Sequence, residues 1–285
     1  MKPVAFTYHA PRTIDEAVAM LAEFAPADGR ILAGGQSLVP TMAFRLARPG
    51  HLIDINGVAD LARLDAKEGV LSIGACVRHA AFHRPVVDTP LGALLSDVVR
   101  HIAHYPIRVR GTFCGSLAHA DPSSEWCLVA ATLDAELIAR STRGERAIKA
   151  ADFFDGVMTT ALEPDELLAE ARLPLLGPDT KFGFQEFSRR AGDFALGMVL
   201  ATARLDGGVI ADARIGVGGT EDRARRIPAA EAALNGQPPG DGAFRAAAEA
   251  AADAVDPMED INTSAAYRRD LVRTLTRRAL EHAFA

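Results

Sequence analysis

A glycine-containing turn, Ala33-Gly34-Gly35-Gln36-Ser37-Leu38, holds the residues best suited to bind a diphosphate. Such a group needs several N–H donors that converge on it and a main chain that can approach it closely. Consecutive glycines allow the positive-φ conformations that point successive N–H groups in one direction. A helix that starts directly after the turn would add unpaired N–H groups, and Ser37 would add a hydroxyl. The pattern indicates a diphosphate site, while a simple strand-to-helix turn stays a competing interpretation.

A second segment, residues 110–125 (RGTFCGSLAHADPSSE), combines small residues, hydroxyls, a histidine and two carboxylates. It shows no helical or strand periodicity, and ordered connections of this length in compact domains are usually functional. We expect Thr112 and Ser116 to bond phosphate or ribityl oxygens, and Glu125 to accept a hydrogen bond from a ribose hydroxyl. The segment is therefore predicted to be a ligand-binding loop.

Two other chemistries use the same residue types. Ser116, His119 and Asp121 are the types of a hydrolase triad, but the GxSxG turn that exposes such a serine is absent. His101, His104, His119 and Asp121 are candidate metal ligands, but their spacing matches no standard metal site. The GxGxxG and GxxxxGK[ST] patterns of nucleotide sites are absent too. We therefore assign no catalytic residue and no metal ligand, and His119 stays open as a plain hydrogen-bonded residue.

Strands and helices are predicted around the first turn so that it lies at the end of a strand. Thr13-Ile14-Asp15-Glu16 is a capping box, and apolar residues at helical spacing follow it to Ala25. A short apolar strand over residues 30–33 runs into the turn, a helix follows over 38–46, and another strand covers 51–55. This alternation indicates a small α/β unit over about the first 55 residues.

The rest of the chain divides at Leu173-Pro174-Leu175-Leu176-Gly177-Pro178, where two prolines and a glycine interrupt the pattern. Before this segment, three strands and a helix are predicted, over residues 70–74, 135–139, 167–173 and 91–102. After it, two apolar runs flank Asp206-Gly207-Gly208, which is a strong hairpin signal. Mostly helical sequence follows the hairpin.

Composition and charge exclude several classes of protein. The formal net charge of −6 argues against nucleic acid as the main partner. No run approaches the roughly 18–20 apolar residues of a membrane helix, and the first residues lack the apolar core of a secretion signal. Cys76, Cys114 and Cys127 share no close spacing, so an iron–sulfur cluster is not expected on this chain. We expect a cytoplasmic protein without a transmembrane segment.

The two turns, taken in order with their flanks, are similar to a known family. The flanks that match are Pro3-Val4-Ala5-Phe6-Thr7-Tyr8-His9-Ala10-Pro11, Arg189-Arg190-Ala191-Gly192-Asp193-Phe194-Ala195, Gly216-Val217-Gly218-Gly219 and Tyr267-Arg268-Arg269. Together they resemble the FAD-binding medium subunit of the xanthine dehydrogenase family, of the separate-subunit type found in aerobic carbon monoxide dehydrogenase. The likeness runs over nearly the whole chain.

This resemblance implies an α+β fold of the vanillyl-alcohol-oxidase type. Two α/β subdomains, about 1–57 and 58–176, would clasp FAD and form an FAD-binding domain over 1–176. Residues 177–285 would form a C-terminal domain with a small antiparallel sheet and helices.

The resemblance also implies that this chain is one part of a larger enzyme. A large subunit would carry a molybdenum pterin cofactor, and a small subunit would carry two-iron two-sulfur clusters. FAD on this chain would pass electrons to an external acceptor such as oxygen, NAD, a quinone or a cytochrome. The assembly would be a dimer of heterotrimers.

Eighteen residues are implied as contacts of FAD by the same resemblance: Ala33, Gly34, Gly35, Gln36, Ser37, Leu38, Ile102, Ala103, Gly111, Thr112, Cys114, Gly115, Ser116, Ala118, His119, Glu125, Leu168 and Gln185. Cys114 replaces the first glycine of the usual Thr-x-Gly-Gly motif. If that position has a positive φ, its Cβ costs roughly 1 kcal/mol or more and weakens the phosphate contact.

Two further functions stay open from the sequence. One is a self-contained FAD-dependent oxidoreductase of the same fold, which would need its own substrate pocket and base. The other is a non-catalytic relative that has lost FAD, for which Cys114 is the relevant departure. Reduction of the flavin by substrate without partners would support the first, and a colourless chain that rejects added FAD would support the second.

Overall fold

A computed structural model describes residues 2–261 and 263–285, and its first part is a small parallel sheet with two helices. The strands pair in the order β1-β3-β2, and both pairings are parallel. The elements of this part are β1 (Thr7–His9), α1 (Ile14–Phe24), β2 (Gly29–Leu32), α2 (Leu38–Ala43) and β3 (His51–Asp54). The predicted α/β unit is therefore present, with the glycine turn directly after β2.

The predicted capping box is confirmed at the start of α1, with one difference. Thr13 Oγ1 accepts the Glu16 N–H at 3.1 Å, as expected. The Glu16 carboxylate accepts the Arg12 N–H at 2.7 Å instead of that of Thr13. Helix α2 ends at Ala43, earlier than predicted, and Arg45 follows with a φ of 58°, which a continuing helix does not allow.

The second part is a five-stranded antiparallel sheet in the order β4-β5-β10-β6-β7. Its strands, with a separate two-stranded ribbon, are β4 (Leu64–Lys67), β5 (Val70–Gly74), β6 (Glu136–Ser141), β7 (Gly144–Lys149), β8 (Phe154–Gly156), β9 (Thr159–Thr160) and β10 (Leu167–Pro174). Its helices are α3 (Pro90–Val98), α4 (Tyr105–Arg108), α5 (Phe113–His119), α6 (Glu125–Thr132) and α7 (Ala150–Phe153).

The prediction of one long loop over residues 110–125 is wrong. Helix α5 occupies its centre, with Phe113, Cys114 and Leu117 buried on one side. Two helical turns containing glycine and serine show too little periodicity to be recognised, and such short helices depend on tertiary packing. Packing against the core therefore determines this helix more than local propensity does.

The third part is an antiparallel sheet in the order β11-β12-β13-β14, with helices packed on it. Its elements are β11 (Lys181–Phe187), β12 (Gly197–Asp206), β13 (Val209–Gly218), β14 (Arg225–Arg226), α8 (Pro228–Leu234), α9 (Asp241–Ala254) and α10 (Ala265–Ala283). The predicted hairpin is confirmed: Gly207 and Gly208 have φ values of 56° and 85°, as a type I′ turn requires.

Helix α6 joins the second and third parts. All its residues from Trp126 to Thr132 are buried, and the helix packs on β12 and β13 as well as on α5. A Cβ on Gly216 of β13 would overlap the Thr132 side chain and lie 2.9 Å from Leu128 Cδ1. The second and third parts are therefore held close together through this helix. Among the helices of the described residues, none is both long and apolar enough to cross a membrane.

Candidate functional site

A cleft with a volume of about 510 Å³ lies where the three parts meet. Its walls come from the turn after β2, from residues 102–125 and from residues 192–194 of the third part. A volume of this size is typical of pockets that bind a small molecule or cofactor.

The two turns singled out in the sequence meet main chain to main chain at this cleft. A Cβ on Gly34 would overlap the Arg110 carbonyl oxygen and lie 2.6 Å from Gly111 Cα. Gly35 has a φ of 69°, which a residue with a Cβ adopts only with strain. Both glycines are therefore required, one for a close approach and one for a left-handed conformation.

A hydrogen-bonded pair of side chains fixes the two turns to each other. Asn56 Nδ2 donates to the Ala33 carbonyl at 2.8 Å, and Arg78 donates both to Asn56 Oδ1 and to the Arg110 carbonyl. Asn56 and Arg78 were not identified from the sequence, because nothing in a single sequence pairs residues so far apart.

Thr112 begins α5 as its N-cap, and its Oγ1 accepts the Gly115 N–H at 3.0 Å. A Cβ on Gly115 would lie 2.5 Å from that same Oγ1. Gly115 is thus required by the cap, whereas the family resemblance implied it as a contact of FAD. The Thr112 hydroxyl hydrogen remains available to a ligand in the cleft.

The strain predicted at Cys114 is absent. Cys114 lies in the first turn of α5, does not have a positive φ, and is 1% exposed. Its Sγ donates to the Ile73 carbonyl at 3.3 Å, on the core side of the helix. Burial raises the pKa of this thiol, so it stays protonated and unreactive. Cys114 is a packed residue that does not line the cleft.

Two more of the predicted contacts lie outside the cleft lining. Leu168 is 4% exposed and belongs to the core of the second part. Gln185 lies on β11, where the neighbouring odd-numbered residues Gly183 and Phe187 face α10. Because strand side chains alternate, Gln185 is on that same face, and Glu186 is on the opposite one.

The other predicted residues line the cleft: Ala33, Gly34, Gly35, Gln36, Ser37, Leu38, Ile102, Ala103, Gly111, Thr112, Gly115, Ser116, Ala118, His119 and Glu125. Residues that sequence reasoning did not assign also line it: Arg30, Ile31, Leu32, His79, Ile107, Asp121, Ser123, Ser124, Gly192, Asp193 and Phe194. Gly192, Asp193 and Phe194 belong to a segment that carried the family resemblance, so that signal was available.

His79 supplies a neutral imidazole to the wall of the cleft. It is 4% exposed, and the Trp126 indole N–H donates to its Nδ1 at 2.9 Å. Burial, with Arg108 and Arg78 nearby, lowers the pKa of His79 to about 3. The ring proton is therefore on Nε2, which lies against Gly111.

Glu125 is the cleft carboxyl with the most unusual acidity. Burial raises its pKa to about 7, and Asp121 adds to the effect. Asp121 itself accepts the Ser123 N–H at 2.8 Å, which is not the arrangement of a hydrolase triad. Within residues 2–261 and 263–285, no group of three or more His, Cys, Asp or Glu side chains is placed to hold a metal ion.

Comparison with known proteins identifies both halves of the chain. A family described as "FAD binding domain in molybdopterin dehydrogenase" matches residues 4–176. A family described as "CO dehydrogenase flavoprotein C-terminal domain" matches residues 182–283.

Relatives of known role match the chain from end to end. The nicotine 6-hydroxylase medium subunit of Paenarthrobacter nicotinovorans is 39% identical, over 100% of this chain and 99% of its own. The carbon monoxide dehydrogenase medium chain of Hydrogenophaga pseudoflava is 32% identical over the same shares.

Two solved structures share the fold. Carbon monoxide dehydrogenase from H. pseudoflava, in a form lacking the Mo-pyranopterin moiety of its cofactor, gives a TM-score of 0.95 at 34% identity, over 100% of this chain and 99% of that chain. Quinoline 2-oxidoreductase from Pseudomonas putida 86 gives 0.93 at 37% identity, over 99% and 98%.

The fold and the cleft thus define an FAD-binding flavoprotein with the α+β architecture predicted from the sequence. The chain belongs to the FAD-binding medium subunits of the molybdenum hydroxylase family, which are parts of oxidoreductases. The cleft fits such a cofactor, because its lining includes the main chain of the turn at residues 33–38 and the hydroxyls of Ser37 and Ser116, which are donors that a diphosphate needs.

Proposed function

We propose that this chain is the electron-transfer subunit of a molybdenum-containing hydroxylase or dehydrogenase. Its FAD would take electrons from a two-iron two-sulfur subunit and pass them to an external acceptor. The main-chain contact of Gly34 with Gly111 is the observation that carries this proposal, since it brings two glycine turns to one cleft.

Different residues of the cleft would bind different parts of FAD. We assign residues 33–38 and 111–119 to the diphosphate and its neighbouring hydroxyls, because the first segment offers main-chain N–H groups and the Ser37 hydroxyl, and the second offers the Ser116 hydroxyl. Glu125 would accept hydrogen bonds from ribose or ribityl hydroxyls, and Ile102, Ala103 and Phe194 would border the flavin ring.

FAD, when bound, supplies the redox chemistry, and the chain binds and orients it and limits access of water to it. His79 holds its proton on Nε2 and stays neutral, so it adds a hydrogen-bond donor to the wall without adding charge. We assign no general acid or base on this chain to a substrate, because the substrate would bind in another subunit.

The names of the relatives support the proposal that this chain has partner chains. They are called medium subunits or medium chains of nicotine 6-hydroxylase, carbon monoxide dehydrogenase and glyceraldehyde dehydrogenase. By analogy we propose a large molybdenum subunit, a small iron–sulfur subunit and a dimer of heterotrimers. The cytoplasmic location also stays a prediction, which cell fractionation would check.

Two measurements test the proposal. The purified chain should have the visible spectrum of oxidised flavin, or acquire it on addition of FAD. A colourless chain that binds no added FAD would favour the non-catalytic alternative. Purification from the native source should give this chain with two others, together with molybdenum, iron and sulfide. Full activity in the isolated single chain would instead favour a self-contained oxidoreductase.

A further inference from the structure

Ala103 lies in the cleft wall in a backbone conformation that is unfavourable for its residue type. Its φ is 41°, in the left-handed region that residues with a Cβ seldom adopt. It lines the cleft together with Ile102, which is 7% exposed. Neither residue belongs to a helix or a strand, because α3 ends at Val98 and α4 begins at Tyr105. A conformation of this kind persists only where the surrounding structure holds it.

Arg108, which is half-buried and does not line the cleft, holds this segment through its main chain. Arg108 Nη1 donates to the Ile102 carbonyl at 2.7 Å and to the Ala103 carbonyl at 2.9 Å. Arg108 Nε donates to His83 Nε2 at 3.1 Å. His83 ends the 3-10 helix His79–His83. One guanidinium therefore ties the main chain of two cleft residues to a neighbouring element of the second part.

All three hydrogen bonds that Arg108 makes within the described residues go to neutral acceptors. Two of the acceptors are carbonyls, and burial, with Arg108 itself nearby, lowers the pKa of His83, so that ring is neutral too. Hydrogen bonds from a charged donor are stronger than neutral ones, and a planar guanidinium directs them at fixed angles. The positive charge of Arg108 therefore stabilises one conformation of the cleft segment.

We propose that Arg108 is a positioning residue of the cofactor site, which keeps Ala103 in its left-handed conformation. This inference rests on the proposed function, in which Ile102 and Ala103 border the flavin ring. Without the guanidinium, Ala103 should adopt mainly the negative φ values that suit a residue with a Cβ. FAD would then bind only the fraction of molecules that keep the left-handed conformation, and the apparent affinity would fall by that fraction.

The first test removes the guanidinium. Arg108→Met should bind FAD about tenfold more weakly in a titration of the FAD-free chain. Arg269→Met is the matched control, because Arg269 is also half-buried and donates to two carbonyls, those of Ala252 and Val255 at the end of α9. The control should keep its affinity within about twofold of wild type, since the bonds that it loses are not those of the cleft segment. Equal affinity in Arg108→Met and wild type would overturn the proposal.

A glycine at position 103 distinguishes positioning from a general loss of packing. Glycine adopts positive φ about as readily as negative φ, so Ala103→Gly added to Arg108→Met should restore affinity to within about threefold of wild type. A smaller residue would not repair general damage to the fold. A double variant as weak as Arg108→Met would contradict the proposal. Arg108→Lys keeps the charge but loses the planar fork, so it should lie between Arg108→Met and wild type. It takes the place of Arg108→Met in each comparison if the methionine variant does not fold.

Amide hydrogen exchange of the FAD-free chain separates this inference from the proposed function. In Arg108→Met, a peptide covering residues 99–110 should exchange at least about tenfold faster than in wild type. Arg269→Met should leave the exchange of that peptide unchanged. Wild-type exchange rates in Arg108→Met would show that Arg108 does not hold the segment. A wild-type chain that binds no FAD would instead end the functional proposal, and the exchange comparison would still decide the role of Arg108.

Discussion

The main chains of Gly34 and Gly111 are in contact. A substitution of Gly34 therefore tests whether these two turns form the cofactor site. Gly34→Ala should force the two turns apart, because the new Cβ has no room against Gly111. Overpacking of this kind costs about 1–3 kcal/mol. Part of that cost should appear as roughly tenfold weaker FAD binding, measured by titration of the FAD-free chain.

Gly242→Ala is the matched control for this substitution. Gly242 lies inside α9, and a Cβ there meets nothing within 4 Å. Because alanine favours helix, the control should gain up to about 1 kcal/mol of stability and leave FAD affinity unchanged. Equal FAD affinity in Gly34→Ala and wild type would speak against the assignment of this turn.

Cys114 shows that the residue at a motif position can differ from the one usual in the family while the site is kept. Restoration of the family glycine by Cys114→Gly should not improve FAD binding, since the thiol faces the core. It should lower the free energy of unfolding by about 1–3 kcal/mol, from helix propensity and a small cavity. Urea unfolding and FAD titration check the two statements, and tighter FAD binding would refute this account.

Glu186, a carboxyl of β11 whose side chain is 4% exposed, should make stability depend on pH. Burial on folding raises its pKa from 4.5 to about 9, so the folded state binds more protons than the unfolded state between these values. The stability of the wild type should therefore fall as pH rises through this window. Glu186→Gln should have the higher melting temperature there, with a difference that grows up to about pH 9. Parallel melting curves for both proteins across the window would argue against a protonated Glu186.

Among the larger elements, β14 packs on α6 and is also joined to the second part by an ion pair of Arg226. Arg226 pairs with Asp134 at 2.8 Å and with Glu231 at 2.8 Å, and mainly Glu231 raises its pKa. Arg226→Met should leave the Glu231 carboxylate, only 10% exposed, without its ion-pair partner, so that it keeps the hydrogen bond from the Ile215 N–H but no positive charge beside it. We expect a loss of about 1–3 kcal/mol, below the cost for a fully buried pair because Asp134 is half-exposed.

Arg30→Met is the control for this ion pair. Arg30 and Asp28 are 63% and 50% exposed at the side chain, and substitution of such exposed pairs usually changes stability by no more than about 0.5 kcal/mol. Equal losses in the two variants would show that Arg226 does not join the parts as described.

The sequence predicted correctly those elements that neighbouring residues determine, and it missed an element that depends on residues far away in the chain. The capping box at Thr13 and the hairpin at Gly207-Gly208 were predicted correctly, because neighbouring residues determine both. Helix α5 was missed, because its buried side is defined by the core that it packs against. Gln185, which the resemblance implied as a contact of FAD, lies on the face of β11 that packs on α10, and the sequence alone does not show which face of a strand a neighbouring helix covers.

The cleft follows the same rule. Its two glycine turns were recognised from their own residues, whereas Asn56 and Arg78 link them over distances in sequence that no local pattern records. The contribution of His79 also needs Trp126, which is far from it in the chain.

At the scale of the whole molecule, the cleft takes residues from all three parts, so FAD should stabilise them together. At a free FAD concentration about 100 times its dissociation constant, the free energy of unfolding should rise by about 2.7 kcal/mol. Trp126 is the single tryptophan of the chain and lies on α6, so its fluorescence reports on the middle of the molecule. Fluorescence and circular dichroism should give one shared transition, and two separate transitions would contradict this coupling.

Helix α6 has no face turned to water from Trp126 to Thr132. Were the chain cut near residue 177, the first fragment would present Leu128 and Thr132 to solvent, and the second would present the strand surface around Gly216. Each fragment would then expose a surface that is buried in the intact chain, and it should tend to aggregate when produced alone. If the two fragments are refolded together, they should form one soluble complex, because each fragment covers the surface that the other exposes.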